Sequence, residues 1–246
     1  MPIQPNTILA RLKTVIFLVS MPFFILGLML PVYGREIGAS VVEIGLFYSA
    51  FSLMTVLMRP LVGWGLDRLG RRGFFLAGLA GYAVTMFSFA FIDQSGGVIA
   101  ARIFQGISSS LLWLSLNAVT ADLAADQERA ATFGKITQSG NRGAIMGTFV
   151  GFFLLNTDLN IPGLENRLAS WMVLFLLYGV INLAALLLAA RSLPETRPLP
   201  VAAMDHSSIR WSQTWILLLL VTFVTGASAA LISPILIIFL QDKLNV

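Results

Sequence analysis

Three arginines sit inside apolar runs, where a lipid-facing charge is out of place: Arg59, Arg102 and Arg142. A guanidinium at the centre of a bilayer costs about 2.5–3.5 kcal/mol on insertion scales. Each must reach the headgroups, pair inside the protein, or face water and a ligand. The chemistry on offer is recognition by charge and hydrogen bonds. Bond-making chemistry has few candidates. The chain has no cysteine and one histidine, His206, which lies in a polar stretch. Thiolate nucleophiles, a Ser–His pair inside an apolar segment and His-rich metal sites are excluded. We expect no catalytic residue, no metal and no cofactor.

Arg102 belongs to a stripe. At about 100° per residue, Arg102, Gln105, Ser109, Trp113 and Thr120 share one helix face, with Asn117 at its margin. Such a stripe predicts one wall of a water-filled path. The alternative is that Arg102 snorkels to the headgroups beside Gln105. Around Arg142 two faces separate. Lys135, Gln138, Ser139, Arg142 and Met146 share one; Gly140, Gly143, Gly147 and Gly151 share another. The glycine face predicts close packing, against the first helix or across a seam between two halves. The polar face could meet substrate or cytoplasmic water, so Gln138 and Arg142 join the candidate cavity residues. Snorkelling of Arg142 fits equally well. Tyr33 is a further cavity candidate, because Pro31 can open a gap in the helix ladder beside it. Arg59, next to Pro60, is expected at the interface or in a latch.

The elements that hold these residues follow from composition. The 246 residues are 57% hydrophobic and only 11% charged, with mean hydropathy +0.84. A soluble domain carries about 25% charge, so the solvent here is lipid. Seven stretches are long enough to cross a bilayer core, approximately 14–34, 44–64, 74–92, 98–121, 136–156, 169–190 and 213–240. Their length rules out barrel strands, which run about 10 residues and alternate. The expectation is an all-α membrane protein, a multi-pass helical bundle in the plasma membrane.

Charge orients the bundle. With the N-terminus cytoplasmic, the inner segments hold Arg11, Lys13, Arg68, Arg71, Arg72, Arg129, Lys135, Arg191, Arg197 and Arg210. The outer segments hold Arg35, Arg167 and Lys243. Ten inner cations against three predict a cytoplasmic N-terminus. The basic residues do not gather on one polar face, so no nucleic-acid partner is expected. The expected organisation is a six-helix half over 1–190, a cytoplasmic linker over 191–212, and over 213–246 the first helix of a second half. Arg210 and Pro234 in that last segment repeat, weakly, the pattern of Arg11, Lys13 and Pro31 in the first. The C-terminal half is then an expected, missing partner.

Between the second and third stretches runs Gly63-Trp64-Gly65-Leu66-Asp67-Arg68-Leu69-Gly70-Arg71-Arg72. The glycines permit close helix approach and a tight reversal at Gly70. Asp67 could accept bonds from Arg71, Arg72 or a helix N-terminus. This stretch resembles the G-x-L-x-D-R-x-G-R-R signature of the major facilitator superfamily, with Gly65 in place of the leucine. Arg102-Ile103-Phe104-Gln105-Gly106 is similar to the family's R-x-x-Q-G element, and Pro194-Glu195-Thr196-Arg197 to its P-E-T/S-x-R element. The resemblance covers essentially the whole chain. It implies the N-terminal six helices plus the seventh of a twelve-helix transporter. It also implies a latch that closes the inner side, made here by Gly63, Asp67, Arg68, Gly70, Arg71 and Arg72, with Asp122 as an added member.

The chain also resembles the drug/proton antiporters of that superfamily. Their G-P-x-x-G-G pattern is met here by Gly143-Ala144-Ile145-Met146-Gly147-Thr148, without the proline and the last glycine. No Asp or Glu lies in the middle of any of the seven stretches, so a coupling acid must sit at an edge or elsewhere. The functional expectation is secondary transport: efflux of small organic or amphipathic compounds, with protons as a possible coupling partner. Uptake of a sugar or organic anion, and a non-transporting membrane scaffold, are the rival readings.

Overall fold

The computed structural model describes residues 5–157 and 167–196, together with Gln213, Ile216, Leu217, Leu220, Val221 and Val224. Among the described residues the regular structure is helical and there is no strand. The helices are α1 (Pro5–Ser20), α2 (Pro22–Glu36), α3 (Val41–Leu69), α4 (Arg72–Phe89), α5 (Ser95–Leu123), α6 (Arg129–Leu155) and α7 (Arg167–Ser192). A short 3-10 turn, Asp126–Glu128, leads into α6. The chain divides into two compact units, Met1–Arg197 and Pro198–Val246. The described positions of the second unit are helical and exposed.

The all-α membrane bundle is as expected, but its spans differ in three ways. The first stretch is two helices rather than one. Pro22 has no N–H to continue the ladder, so the helix breaks at Met21 and restarts with proline in its first turn. The two still form one apolar span, Thr7–Glu36. Next, five described helical segments are long and apolar enough to cross a bilayer: Thr7–Glu36, Val41–Leu69, Arg72–Phe89, Ser95–Leu123 and Ala169–Ser192. The stretch expected at 136–156 is not among them. It lies in α6, whose 27 residues match its neighbours in length, but Lys135, Gln138, Ser139, Asn141 and Arg142 make it too polar to be lipid-covered all round. Finally, the seventh stretch falls mostly outside the described residues.

Local chemistry explains the boundaries. Ser40 and Glu43 form a reciprocal capping box at the start of α3, and Gly38 turns the chain before it at φ +78°. Within the first unit, α3 packs on α5, α5 on α4, α4 on α7, α7 on α1, and α6 along α1 and α2. The core runs through Leu12, Ile16 and Val19 of α1, Phe75, Leu79 and Tyr82 of α4, Leu112 and Leu116 of α5, and Ala185 and Ala189 of α7. In contrast, α3 exposes Leu53, Val56, Leu57 and Leu61, an apolar face suited to lipid.

The glycine face of α6 meets α1 and α2. A side chain at Gly143 would overlap the Phe17 carbonyl, and one at Gly147 the Met21 carbonyl. At Gly151 it would meet Ile25 at 2.8 Å. Backbone therefore touches backbone along this crossing.

Candidate functional site

At the end of the bundle where α1 begins, the α3–α4 turn, the end of α5 and the segment after α7 meet. Gly70 closes α3 at φ +98°, which glycine adopts without strain. The first amides of α4 have no intrahelical acceptor. Glu195 supplies one: Arg71 N–H donates to its Oε1 at 2.7 Å and Arg72 N–H to its Oε2 at 3.2 Å. The carboxylate also faces the positive end of the α4 dipole. The Arg71 side chain reaches α5, its Nε donating to Asp122 Oδ2 at 3.2 Å, while its Nη1 donates to the Leu66 carbonyl at 2.5 Å. Arg72 Nη2 donates to the Ala190 carbonyl on α7 at 2.8 Å. A Cβ at Gly70 would lie 2.7 Å from the Glu195 carboxylate, a second reason for glycine there.

Four of the latch residues are thus in one cluster: Gly70, Arg71, Arg72 and Asp122. Asp67 is exposed and makes no bond to either arginine. Asp122 and Glu195 occupy those donors instead. Arg68 is exposed with its guanidinium 4.6 Å from the Trp64 ring centroid. Gly65 lies under the Phe74 ring, whereas Gly63 faces open space. Arg59 is exposed on α3.

Arg102 is only 6% exposed and Gln105 2%. Arg102 Nε donates to the Phe47 carbonyl of α3 at 3.0 Å and its Nη1 to Gln105 Oε1 at 2.7 Å. The Phe51 ring centroid lies 4.6 Å from the guanidinium carbon and that of Tyr48 5.5 Å. The guanidinium is therefore turned toward α3. Gly106 allows that approach: a Cβ there would meet the Phe51 carbonyl at 2.6 Å. Ser110 Oγ donates to the Thr55 carbonyl at 2.6 Å and extends the brace. Farther along the stripe Ser109 is buried, and Trp113 packs against Phe23 of α2 at 5.4 Å between ring centroids.

Tyr33 is buried at the opposite end. Its hydroxyl donates to the Ile92 carbonyl, and its ring packs on Trp171 and Phe175 of α7 at 5.2 and 5.3 Å. Trp171 Nε1 donates to Glu36 Oε2 at 2.6 Å. The edge acid Glu43 accepts from Ser40 and Ser95.

Gln138 and Arg142 lie elsewhere, in a cleft of about 420 Å³ between α1 and α6 that also holds Lys13, Thr14, Lys135 and Ser139. Ser139 Oγ donates to the Lys13 carbonyl at 2.8 Å across the seam. The sequence-derived cavity residues thus occupy three places: the α3–α5 brace, the Tyr33 aromatic cluster and this cleft.

The sequence profile described as Major Facilitator Superfamily matches residues 14–246. The chain belongs to the major facilitator superfamily. Quinolone resistance protein NorA of Staphylococcus aureus is 26% identical over 147 residues, which are 60% of this chain and 38% of that protein. Multidrug resistance protein 1 of Bacillus subtilis is 25% identical over 162 residues, 65% of this chain and 41% of the relative. The match thus spans about two fifths of the length of these curated relatives. Among solved structures, the human organic anion transporter MFSD10 (TETRAN) aligns with TM-score 0.60 at 24% identity, over 80% of this chain and 49% of that one. Tetrameric PepTSo2 aligns with TM-score 0.67 at 12% identity, over 96% and 50%. These structures share the fold.

As a major facilitator superfamily member, with five apolar spans among its described residues, the chain is a multi-pass plasma-membrane protein. Two residues of this superfamily member escaped the sequence reading of sites. Glu195 was visible only as part of the Pro194-Glu195-Thr196 element. In the sequence Lys13 reads as a topology signal, and nothing in its neighbourhood announces that it faces α6.

Proposed function

We propose that the chain forms the N-terminal part of a secondary transporter working by alternating access, in which two helical halves rock about a central path. In this reading residues 1–190 are one half, 191–212 a linker and 213–246 the start of the second half, with the basic end cytoplasmic. The observation that carries it is the tied basic end. Arg71, Arg72, Asp122 and Glu195 join α4, α5 and α7 at the α3–α4 turn, while Asp67 at the end of α3 stays exposed, with no bond among the described residues. A half that moves as a rigid body needs such internal ties, and an inner latch needs a group left for the other half. Arg102 and Gln105 then brace the half beside the path.

The names of the relatives, a quinolone resistance protein and a multidrug resistance protein, support export of small organic or amphipathic compounds. Proton coupling would need an acid. Among the described helices the acids lie toward the ends, and Glu36 and Glu43 there are already held by Trp171, Ser40 and Ser95. The test is counterflow in proteoliposomes, with a fluorescent lipophilic cation and with a labelled aromatic carboxylate. Saturable exchange of the cation supports export of amphipathic compounds, and exchange of the carboxylate alone supports anion transport. No exchange of either sinks the transport reading and leaves a scaffold.

A further inference from the structure

Arg142 is the fourteenth of the 27 residues of α6, and it is exposed. In the middle of a membrane-length helix an exposed guanidinium cannot face lipid cheaply. Its face must therefore meet water or protein. The same face carries Lys135, two turns nearer the helix start, and Gln138 between them. Across the seam α1 contributes Lys13 and Thr14, and the five side chains line one cleft with Ser139. Gly143 and Gly147 bring α6 onto the α1–α2 backbone, so side chains of the two helices line one cleft.

The electrostatics are one-sided. Lys13, Lys135 and Arg142 have no ion-pair partner among the described residues, and no acid lines the cleft. Three unpaired cations in one cleft repel one another. The arrangement is relieved by an anion, which would receive two ammonium donors, a planar guanidinium fork and an amide. About 420 Å³ admits a phosphate or carboxylate group with a small organic substituent. We propose that the α1–α6 cleft is an oxyanion-binding site, with the Arg142 guanidinium as its anchor and Lys13 and Lys135 beside it. The site is separate from the Arg102 brace and does not depend on the chain's being a transporter. The oxyanion has two possible sources, a soluble solute or the headgroup of an anionic phospholipid.

The absence of cysteine makes a clean probe available: bimane attached to an Ala10→Cys variant, at an exposed residue of the cleft lining. Glycerol phosphate and inorganic phosphate are titrated onto the labelled chain in phosphatidylcholine nanodiscs, and the emission is compared with that in nanodiscs containing phosphatidylglycerol. We expect a saturable change that Arg142→Gln weakens by about tenfold and that Lys13→Gln, Lys135→Gln and Arg142→Gln together abolish. Arg129→Gln, which removes a cation paired with Asp126 outside the cleft, leaves it unchanged. A response to soluble phosphates in phosphatidylcholine supports a solute site; a response confined to phosphatidylglycerol supports a headgroup site. No response in either medium, or an equal response in the triple variant, overturns the proposal. If the triple variant does not fold, Arg142→Gln alone decides: unchanged affinity overturns it.

Discussion

Arg102 is a full charge held almost out of solvent, and its geometry explains how. Two hydrogen bonds and two aromatic faces replace the water it has lost. Lysine cannot reproduce the planar fork that joins the Phe47 carbonyl to Gln105. Arg102→Lys should therefore destabilise the chain by about 1–3 kcal/mol by leaving buried partners unmatched. An unaltered unfolding temperature in detergent would show that the brace contributes nothing. Gly70 carries two separable constraints, its positive φ and its contact with Glu195. Gly70→Ala should cost about 1–3 kcal/mol, and Glu195→Ala about 0.5–2 kcal/mol through lost capping of α4. The double variant should be less unstable than the sum, since removing the carboxylate frees the space that a Cβ needs. Strict additivity in a denaturation series would separate the two residues. At this scale the residue types were legible: a buried-range arginine, a turn glycine, an acid beside a basic turn. Their partners were not, because Arg71 and Glu195 are 124 positions apart.

At the scale of the element, α6 shows how one helix serves two purposes. One face is glycine and lies against the α1–α2 backbone; the other is basic and lines a cleft. Both faces followed from helical periodicity. That the glycine face meets the first stretch, rather than a seam between halves, came from the packing. The comparison of Gly143 with Gly134 tests this. A Cβ at Gly143 would overlap the Phe17 carbonyl, whereas one at Gly134 meets nothing within 4 Å. Gly134→Ala should be neutral or stabilise by about 0.5–1 kcal/mol, the ordinary helix preference. Gly143→Ala should lower the unfolding temperature by several degrees, because backbone on the far side cannot step aside. Equal effects of the two substitutions would mean that the crossing is not close. The two-helix form of the first stretch was also readable, in principle, from Pro22, whose missing N–H breaks the ladder at Met21.

At the scale of the molecule, the tied basic end and the exposed Asp67 separate stability from motion. Asp122→Asn weakens the Arg71 pair, which is partly exposed, and should reduce both the unfolding temperature and exchange in proteoliposomes. Asp67→Asn removes no described bond, so it should leave stability unchanged while reducing exchange, if the latch reading holds. Loss of stability in Asp67→Asn would place that acid among the internal ties instead. The sequence by itself determined that lipid is the solvent, that the elements are helices, and which superfamily the chain belongs to. Apolar runs of bilayer length admit no other satisfied backbone, and the turn between the second and third stretches carries its signature in adjacent letters. Only the tertiary structure decided which faces meet. It turned Arg102 toward α3, set Glu195 over the start of α4, and brought Lys13 opposite Arg142. A helix states which of its residues share a face; what covers that face is settled by packing among helices far apart in sequence.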